Sequence, residues 1–195
     1  MVANEFFDPV PHIIVDNFLG SNQYKEILSC IEETLPQFTA GQVFTPAGEQ
    51  AVVNNFKRNG NIWLDPFDSR IVQVLRNNFF AFRTQIKSLD WTNRMHEVLL
   101  SQYVAGDFYD WHTDLGGHCT WNYFVCTEPK QFTGGDFMLS NAQADNKEQT
   151  NGKTIEFKNN RLVIFPAQYQ HSVTAVAAQF LEPMSSRYSI QVFFR

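Results

Sequence analysis

The sequence predicts a mainly β domain carried on N-terminal helices, an α+β chain whose second half is a sandwich or barrel. Three observations lead there. Apolar residues recur at three- and four-residue steps in two segments before residue 90. After residue 96 the chain breaks into seven short runs rich in β-branched and aromatic residues, separated by Gly, Pro and Asn. Finally, 195 residues with 44% hydrophobic and 15% aromatic content supply one core of ordinary size, and the expectation is a single domain over 1–195. Within it, 1–95 is read as helical support and loop, and 96–195 as the β core.

The elements follow in order. His12–Leu19 is a short β-branched run ending in a turn. Ser21 stands where an N-cap opens a helix over Asn22–Leu35, whose stripe is Tyr24, Ile27, Leu28, Ile31 and Leu35; Pro36 ends it. Residues 40–61, rich in Gly, Asn, Gln and Thr, read as a long surface loop or weak hairpin, a length that favours a functional segment. From Asp68 to about Ser88, Ile71, Val72, Leu75, Phe79, Phe82 and Ile86 mark a second helix. The expected strands are Glu97–Val104, Cys119–Thr127, Asp136–Leu139, Thr154–Phe157, Arg161–Phe165, Ser172–Val176 and Tyr188–Phe194. Residues 140–153, almost without apolar side chains, read as a solvated hairpin tip.

Composition excludes several classes. A net charge of -5 with no basic run speaks against a phosphate-backbone partner, so no nucleic acid is expected. No stretch reaches the length of a membrane span, and Glu5, Asp8, Pro9 and Pro11 interrupt any signal-peptide pattern. Cys30, Cys119 and Cys126 are odd in number and without CxxC spacing, which fits neither a disulfide framework nor a cysteine zinc site. A cytoplasmic protein without a membrane partner is expected.

The residues that carry chemistry are His112-Thr113-Asp114, then His171 and Arg187. At the end of a strand, the period of two would point His112 and Asp114 into one cavity, and His171 lies at the turn after an apolar strand that a barrel could bring to the same mouth. Two imidazoles and a carboxylate fill one face of an octahedral ferrous ion and leave three positions for ligands that react together. Arg187 offers a planar fork suited to a carboxylate, and Ser189 falls on the same strand face with a hydroxyl. A lone HxD is more often a surface turn, and Arg187 alone would serve a structural ion pair. His12, His96 and His118 read as ordinary polar residues, His118 being the one competitor as ligand. Asp107, Asp110 and Asp136 read as turn residues, and Trp111 and Trp121 as packing. Gly134-Gly135 counts as a turn that serves the fold.

Taken together the chain resembles the 2-oxoglutarate and Fe(II)-dependent dioxygenases, in their prolyl 4-hydroxylase-like branch. Pro11–Leu19 is similar to that branch's opening strand, and Gln102–Tyr109 to its Tyr-x-x-Gly approach to HxD. Phe132–Phe137 resembles its Gly-Gly turn, Arg161–Pro166 the strand before the distal His, and Arg187–Ile190 the closing strand. The resemblance implies a double-stranded β-helix, the cupin-like jelly roll. It implies that His112, Asp114 and His171 hold Fe(II) and form the catalytic centre. It further implies that 2-oxoglutarate chelates the metal, that Arg187 grips its far carboxylate, and that O2 is the oxidant, with ascorbate as a reductant. Tyr103 resembles a position that hydrogen-bonds the co-substrate, and Tyr123 on the next strand is the alternative phenol, since strand register is open. The carboxylate of Asp114 favours hydroxylation over halogenation, which uses a small residue there.

The implied reaction hydroxylates an unactivated C–H bond while 2-oxoglutarate and O2 become succinate and CO2. A prolyl residue in a peptide or protein is the first substrate by family analogy, and a free amino acid or other small metabolite the second. A non-catalytic jelly-roll metal-binding protein is the rival of another class; it would have lost a ligand or the arginine, and neither is lost. The oligomeric state is not legible.

Overall fold

Alternation along single strands builds this fold, because both faces of the larger sheet are covered. On the strand Cys119–Val125, Trp121, Tyr123 and Val125 join one apolar cluster while Phe124 joins another. On Arg187–Phe194, Tyr188, Ile190, Val192 and Phe194 join the first, leaving Arg187, Ser189, Gln191 and Phe193 for the opposite face. The computed structural model describes residues 2–44, 49–83, 95–114, 117–143, 152–178 and 182–194.

The chain begins with β1 (Val2–Phe6), β2 (His12–Asp16) and α1 (Ser21–Thr34). Short strands follow: β3 (Thr39–Ala40), β4 (Val43–Phe44), β5 (Gln50–Ala51), β6 (Lys57–Arg58) and β7 (Gly60–Leu64). After α2 (Arg70–Arg83) come β8 (Met95–Tyr103), β9 (Phe108–His112), β10 (Cys119–Val125) and β11 (Thr133–Gly134). Then come β12 (Phe137–Gln143), β13 (Gly152–Ile155), β14 (Arg161–Pro166), β15 (Tyr169–Val173), β16 (Val176–Ala177) and β17 (Arg187–Phe194). The larger sheet has the order β1-β2-β14-β10-β17-β8-β7-β3 and the smaller β13-β12-β15-β9-β6. Every pairing within them is antiparallel.

One cluster packs Ile27, Cys30 and Ile31 of α1 and Ile71, Val72 and Leu75 of α2 onto the outer face of the larger sheet. The second lies between the sheets, where Phe124, Val163 and Phe165 meet Phe137, Leu139 and Val173. This is the jelly roll, with helices on one side only.

Several expectations change. The N-terminal half is not a separate support: β1, β2, β3 and β7 extend the larger sheet and β6 the smaller. The 40–61 segment, read as a long loop or weak hairpin, contains the small antiparallel β4–β5 pair and also joins the two sheets through β6 on β9 and β7 on β8, pairings that its polar composition does not announce. β1 was not foreseen. Helix α1 starts at Ser21 with Gly20 as its N-cap, and the Gln23 side chain accepts from the Gly20 N–H. β12 continues to Gln143, into the stretch read as a hairpin tip, and pairs with β13; residues 144–151 lie outside the described residues. So does the expected end of the second helix beyond Arg83. Cys30, Cys119 and Cys126 are buried and free. Among the described residues no helix is long and apolar enough to cross a membrane.

Candidate active site

The turn between β14 and β15 carries the chain from the larger sheet to the smaller and sets His171 directly opposite His112 in the β15–β9 pair. Asp114 follows β9 by two residues, tied by its N–H to the Ala167 carbonyl in that same turn. One ligand atom each of His112, Asp114 and His171 thus lie within 4.8 Å of one another, and His171 Nε2 stands 3.5 Å from Asp114 Oδ2. His118, the competitor, is outside this group, its N–H donating to Phe194 O.

Both imidazoles are oriented by their own backbone. His112 Nδ1 is 2.8 Å from Asp110 O and His171 Nδ1 3.0 Å from Tyr169 O, so each Nδ1–H donates there and each Nε2 is left facing the cavity. Tyr109 stacks flat on His112, ring centroids 3.4 Å apart, and fixes the ring plane. Burial, with His171 alongside, holds His112 well below the usual imidazole range, which keeps it neutral. Burial opposes ionisation of Asp114, yet His171, then His112 and the Thr120 hydroxyl, bring its carboxyl down to about 2. Thr120 Oγ1 donates to Asp114 Oδ2 at 2.6 Å. Two imidazole nitrogens and an ionised carboxylate oxygen form a set that fits a divalent transition metal.

Behind the triad the inward residues of β17 line up. Arg187 is fully buried and stands opposite Tyr103 of β8, its guanidinium carbon 4.6 Å from that ring and 5.2 and 5.3 Å from Phe124 and Phe157. Its Nε donates to Gly135 O at 2.7 Å and its Nη1 to Ser189 Oγ at 3.2 Å, while Nη2 has no protein partner. A buried cation with a free N–H is the expected seat of an anion. Desolvation lowers Arg187 only to about 10, so it stays charged. Ser189 Oγ also accepts from Gln191 Nε2 at 2.7 Å; with both neighbours donating to it, its own O–H is left for an acceptor. Tyr103 is buried, which raises its phenol, so it remains a donor.

Gly135, taken from sequence to serve only the fold, touches the clamp. It has φ +66, and a Cβ there would fall 2.7 Å from Arg187 Cδ. The structure does not bring Tyr123 to the site. It has the parity of Trp121, facing the helices, and its hydroxyl donates to Asn160 at 3.0 Å. The inward residues of β10 are Thr120, Asn122 and Phe124, and the buried Asn122 Oδ1 has no protein partner. Asp107 pairs with Arg58 at 3.0 Å and caps Val104 N–H; Asp136 accepts from Phe157 N–H at 2.8 Å.

Two cavities meet at the triad. The inner one, about 40 Å³, is lined by the triad with Tyr103, Thr120 and Asn122. The outer one, about 340 Å³, runs from His112 and Asp114 between Phe56, Lys57, Tyr109 and Phe193 to the exposed Trp63. Lys57, Tyr109 and Trp63 had no sequence signal: they are single residues on strands whose pairing the composition does not reveal. Among the described residues, Trp63 is the indole that lines the outer cavity.

A jelly roll with a His-Asp-His centre and a buried arginine behind it is the plan of a non-haem iron oxygenase. Residues 98–195 match the family model of the 2OG-Fe(II) oxygenase superfamily. The chain belongs to that superfamily, a family of oxidoreductases that use Fe(II), 2-oxoglutarate and O2, and its fold is like that of prolyl 4-hydroxylases. An uncharacterized PKHD-type hydroxylase of Synechocystis is 28% identical over 108 residues, 51% of this chain and 36% of that relative, so the match spans about a third of the relative's length. Among solved structures, a Trichoplax adhaerens prolyl hydroxylase, in complex with a hypoxia inducible factor oxygen degradation domain peptide, superposes with a TM-score of 0.70. It is 20% identical, with 94% of this chain and 82% of that one covered. A Pseudomonas putida prolyl-4-hydroxylase superposes with a TM-score of 0.65 at 15% identity, covering 94% and 91%. At these identities the likeness is one of fold.

Proposed function

We propose that the protein is an Fe(II)- and 2-oxoglutarate-dependent dioxygenase that hydroxylates an unactivated C–H bond. The observation that carries this reading is the buried Arg187, with Nη2 unpartnered, set behind three converging ligand atoms. His112, Asp114 and His171 would hold the iron, each imidazole through Nε2. Bound iron supplies the activation of O2 that couples decarboxylation of 2-oxoglutarate to oxidation of the substrate. Arg187 and Ser189 bind the far carboxylate, the first through charge-assisted bonds and the second through its spare O–H. Tyr103 donates to the same end from the facing strand. Tyr109 and the Phe165 ring beside His171 exclude water and hold the imidazoles in place.

A prolyl residue in a peptide is the first substrate. The likeness of fold to prolyl hydroxylases, one of them holding a peptide, supports it. A free amino acid or other small metabolite is the second reading, favoured by the buried cation Lys57 in the outer cavity. The test is succinate formation from 2-oxoglutarate with iron and ascorbate, alongside mass spectrometry for the gain of one oxygen atom on peptides and metabolites. Iron-dependent succinate formation is expected; its absence from iron-loaded protein across a broad panel would overturn the reading.

A further inference from the structure

Lys57 stands where the outer cavity narrows into the inner one, and it lines both. It is 5% exposed, on β6, directly paired with Tyr109 of β9. Its ammonium lies 4.4 Å from the Tyr109 ring centroid, and that ring is the one stacked on His112. The charge that acts on it is the Asp114 carboxylate of the triad, with which it makes no ion pair. Nζ donates to Gln42 O at 3.3 Å and, with the Asn61 amide turned to satisfy its neighbours, to Asn61 Oδ1 at 3.0 Å. None of the ion pairs among the described residues includes Lys57. Lysine is almost never this buried without a counter-charge, because two neutral oxygens and a ring face recover only part of the lost hydration.

The co-substrate does not supply that counter-charge. Its far carboxylate belongs to Arg187, and four hydrogen-bonded side chains separate the two cations. Asn61 Nδ2 donates to Ser101 Oγ at 2.9 Å, Ser101 Oγ to Gln191 Oε1 at 3.2 Å, and Gln191 Nε2 to Ser189 Oγ, which Arg187 also reaches. Beyond Lys57 the walls include the apolar Phe56, Leu99, Phe193 and Trp63, with Gln42 and Thr113 as polar points. Glu97 lines only the outer part, which disfavours a second negative charge there. Lys57 lies in the N-terminal half, outside residues 98–195 that match the family model.

We infer that Lys57 anchors a carboxylate of the substrate, so that the compound oxidised carries one anionic group beside the carbon presented to the triad, with an apolar body against Trp63 and Phe193. This rests on the oxygenase reading above. The carboxylate is that of a free amino acid or an acidic side chain in a peptide, and matched probes separate the two.

The experiment measures binding to full-length protein held with Mn(II) and saturating 2-oxoglutarate without O2, read by the fluorescence of the tryptophans, Trp63 among them. The free-acid probes are L-proline, L-leucine, L-phenylalanine and L-lysine, each against its amide. The peptide probes are blocked Ala-Pro-Glu and blocked Ala-Pro-Gln. At least one acid is expected to bind about tenfold or more tightly than its neutral partner, the weight of a charge-assisted contact in a desolvated site. That preference should survive Lys57→Arg and disappear in Lys57→Met. A free acid alone showing it assigns an amino acid; the Glu peptide alone assigns an acidic peptide. Equal binding of acids and amides, no binding by any probe, or a preference that persists in Lys57→Met overturns the inference, and the wild-type comparison stands even if a variant fails to fold. Succinate formation by wild-type iron enzyme is measured separately, so failure of the anchor is distinct from failure of the oxygenase reading.

Discussion

Arg187 and Tyr103 face each other across the β17–β8 pair, with the guanidinium carbon 4.6 Å from the centre of the phenol ring. Arg187 forms no ion pair among the described residues: its contacts are a backbone carbonyl, a serine hydroxyl and three ring faces. A buried charge held this way is preorganised for an anion and gives up no ion pair to receive it.

Arg187→Ala should therefore weaken 2-oxoglutarate binding by about 2–5 kcal/mol, the usual cost of truncating one partner of a desolvated charge pair. Calorimetric titration with Mn(II) present measures it. An unchanged affinity would return Arg187 to a structural role.

The two tyrosines should part company. Tyr103→Phe is expected to raise the 2-oxoglutarate dissociation constant. Tyr123→Phe should leave it unaltered and instead cost about 1 kcal/mol of stability, through the lost bond to Asn160. Titration and denaturant unfolding of both variants give the comparison.

That pair also shows how far the sequence was readable. The helices were legible because each has one apolar face, and the triad because its residue types have few other uses together. Tyr123 was not, because β10 is buried on both faces: Thr120, Asn122 and Phe124 inward, Trp121 and Tyr123 toward the helices. Without a wet face, alternation carries no sign of which side is which. β1 and the joining of β6 and β7 to the main sheets were missed for another reason. Asn, Gln and Gly in them are poor strand formers that tertiary pairing overrides. Lys57 was invisible for that cause, since its burial exists only once β6 has joined β9.

Gly135→Ala should impair both fold and clamp. The added methyl would enter at 2.7 Å from Arg187 Cδ, on a backbone with φ +66 that L side chains rarely adopt. We expect a loss of roughly 1–2 kcal/mol in stability and a raised 2-oxoglutarate dissociation constant. Thermal unfolding and titration check both; an unaffected clamp would mean that Arg187 has room to shift.

His112→Ala and Asp114→Ala should abolish metal binding and turnover while the protein stays folded, since two apolar clusters without metal contacts hold the sheets. Metal analysis after dialysis and circular dichroism give the two readouts. Unfolding on removal of metal would contradict this.

Acid stability should depend on Asp16, far from the cavity. Arg161 donates to it at 2.6 and 3.1 Å and Lys158 at 2.9 Å, and the Arg161 hydrogen bond first of all lowers its carboxyl from 3.8 to about 2. A depressed carboxyl stabilises the fold fully above its unfolded value and loses that contribution as pH falls from about 4 through about 2. Asp16→Asn should then be less stable than wild type by about 1 kcal/mol at neutral pH, because solvent screens the partly exposed pair, and the gap should close in acid. Urea unfolding at several pH values follows it. A gap independent of pH would assign the effect to packing.

The eight residues of β17 serve two masters by turns, odd positions facing the cavity side and even positions the helix-facing core. A slip of one residue against β8 would exchange them, pressing a guanidinium under the helices and a tyrosine into the cavity. Insertions and deletions upstream of Arg187 are thus tolerable only where the preceding segment absorbs them. Affinity for the keto acid and the integrity of the molecule are inherited as one trait.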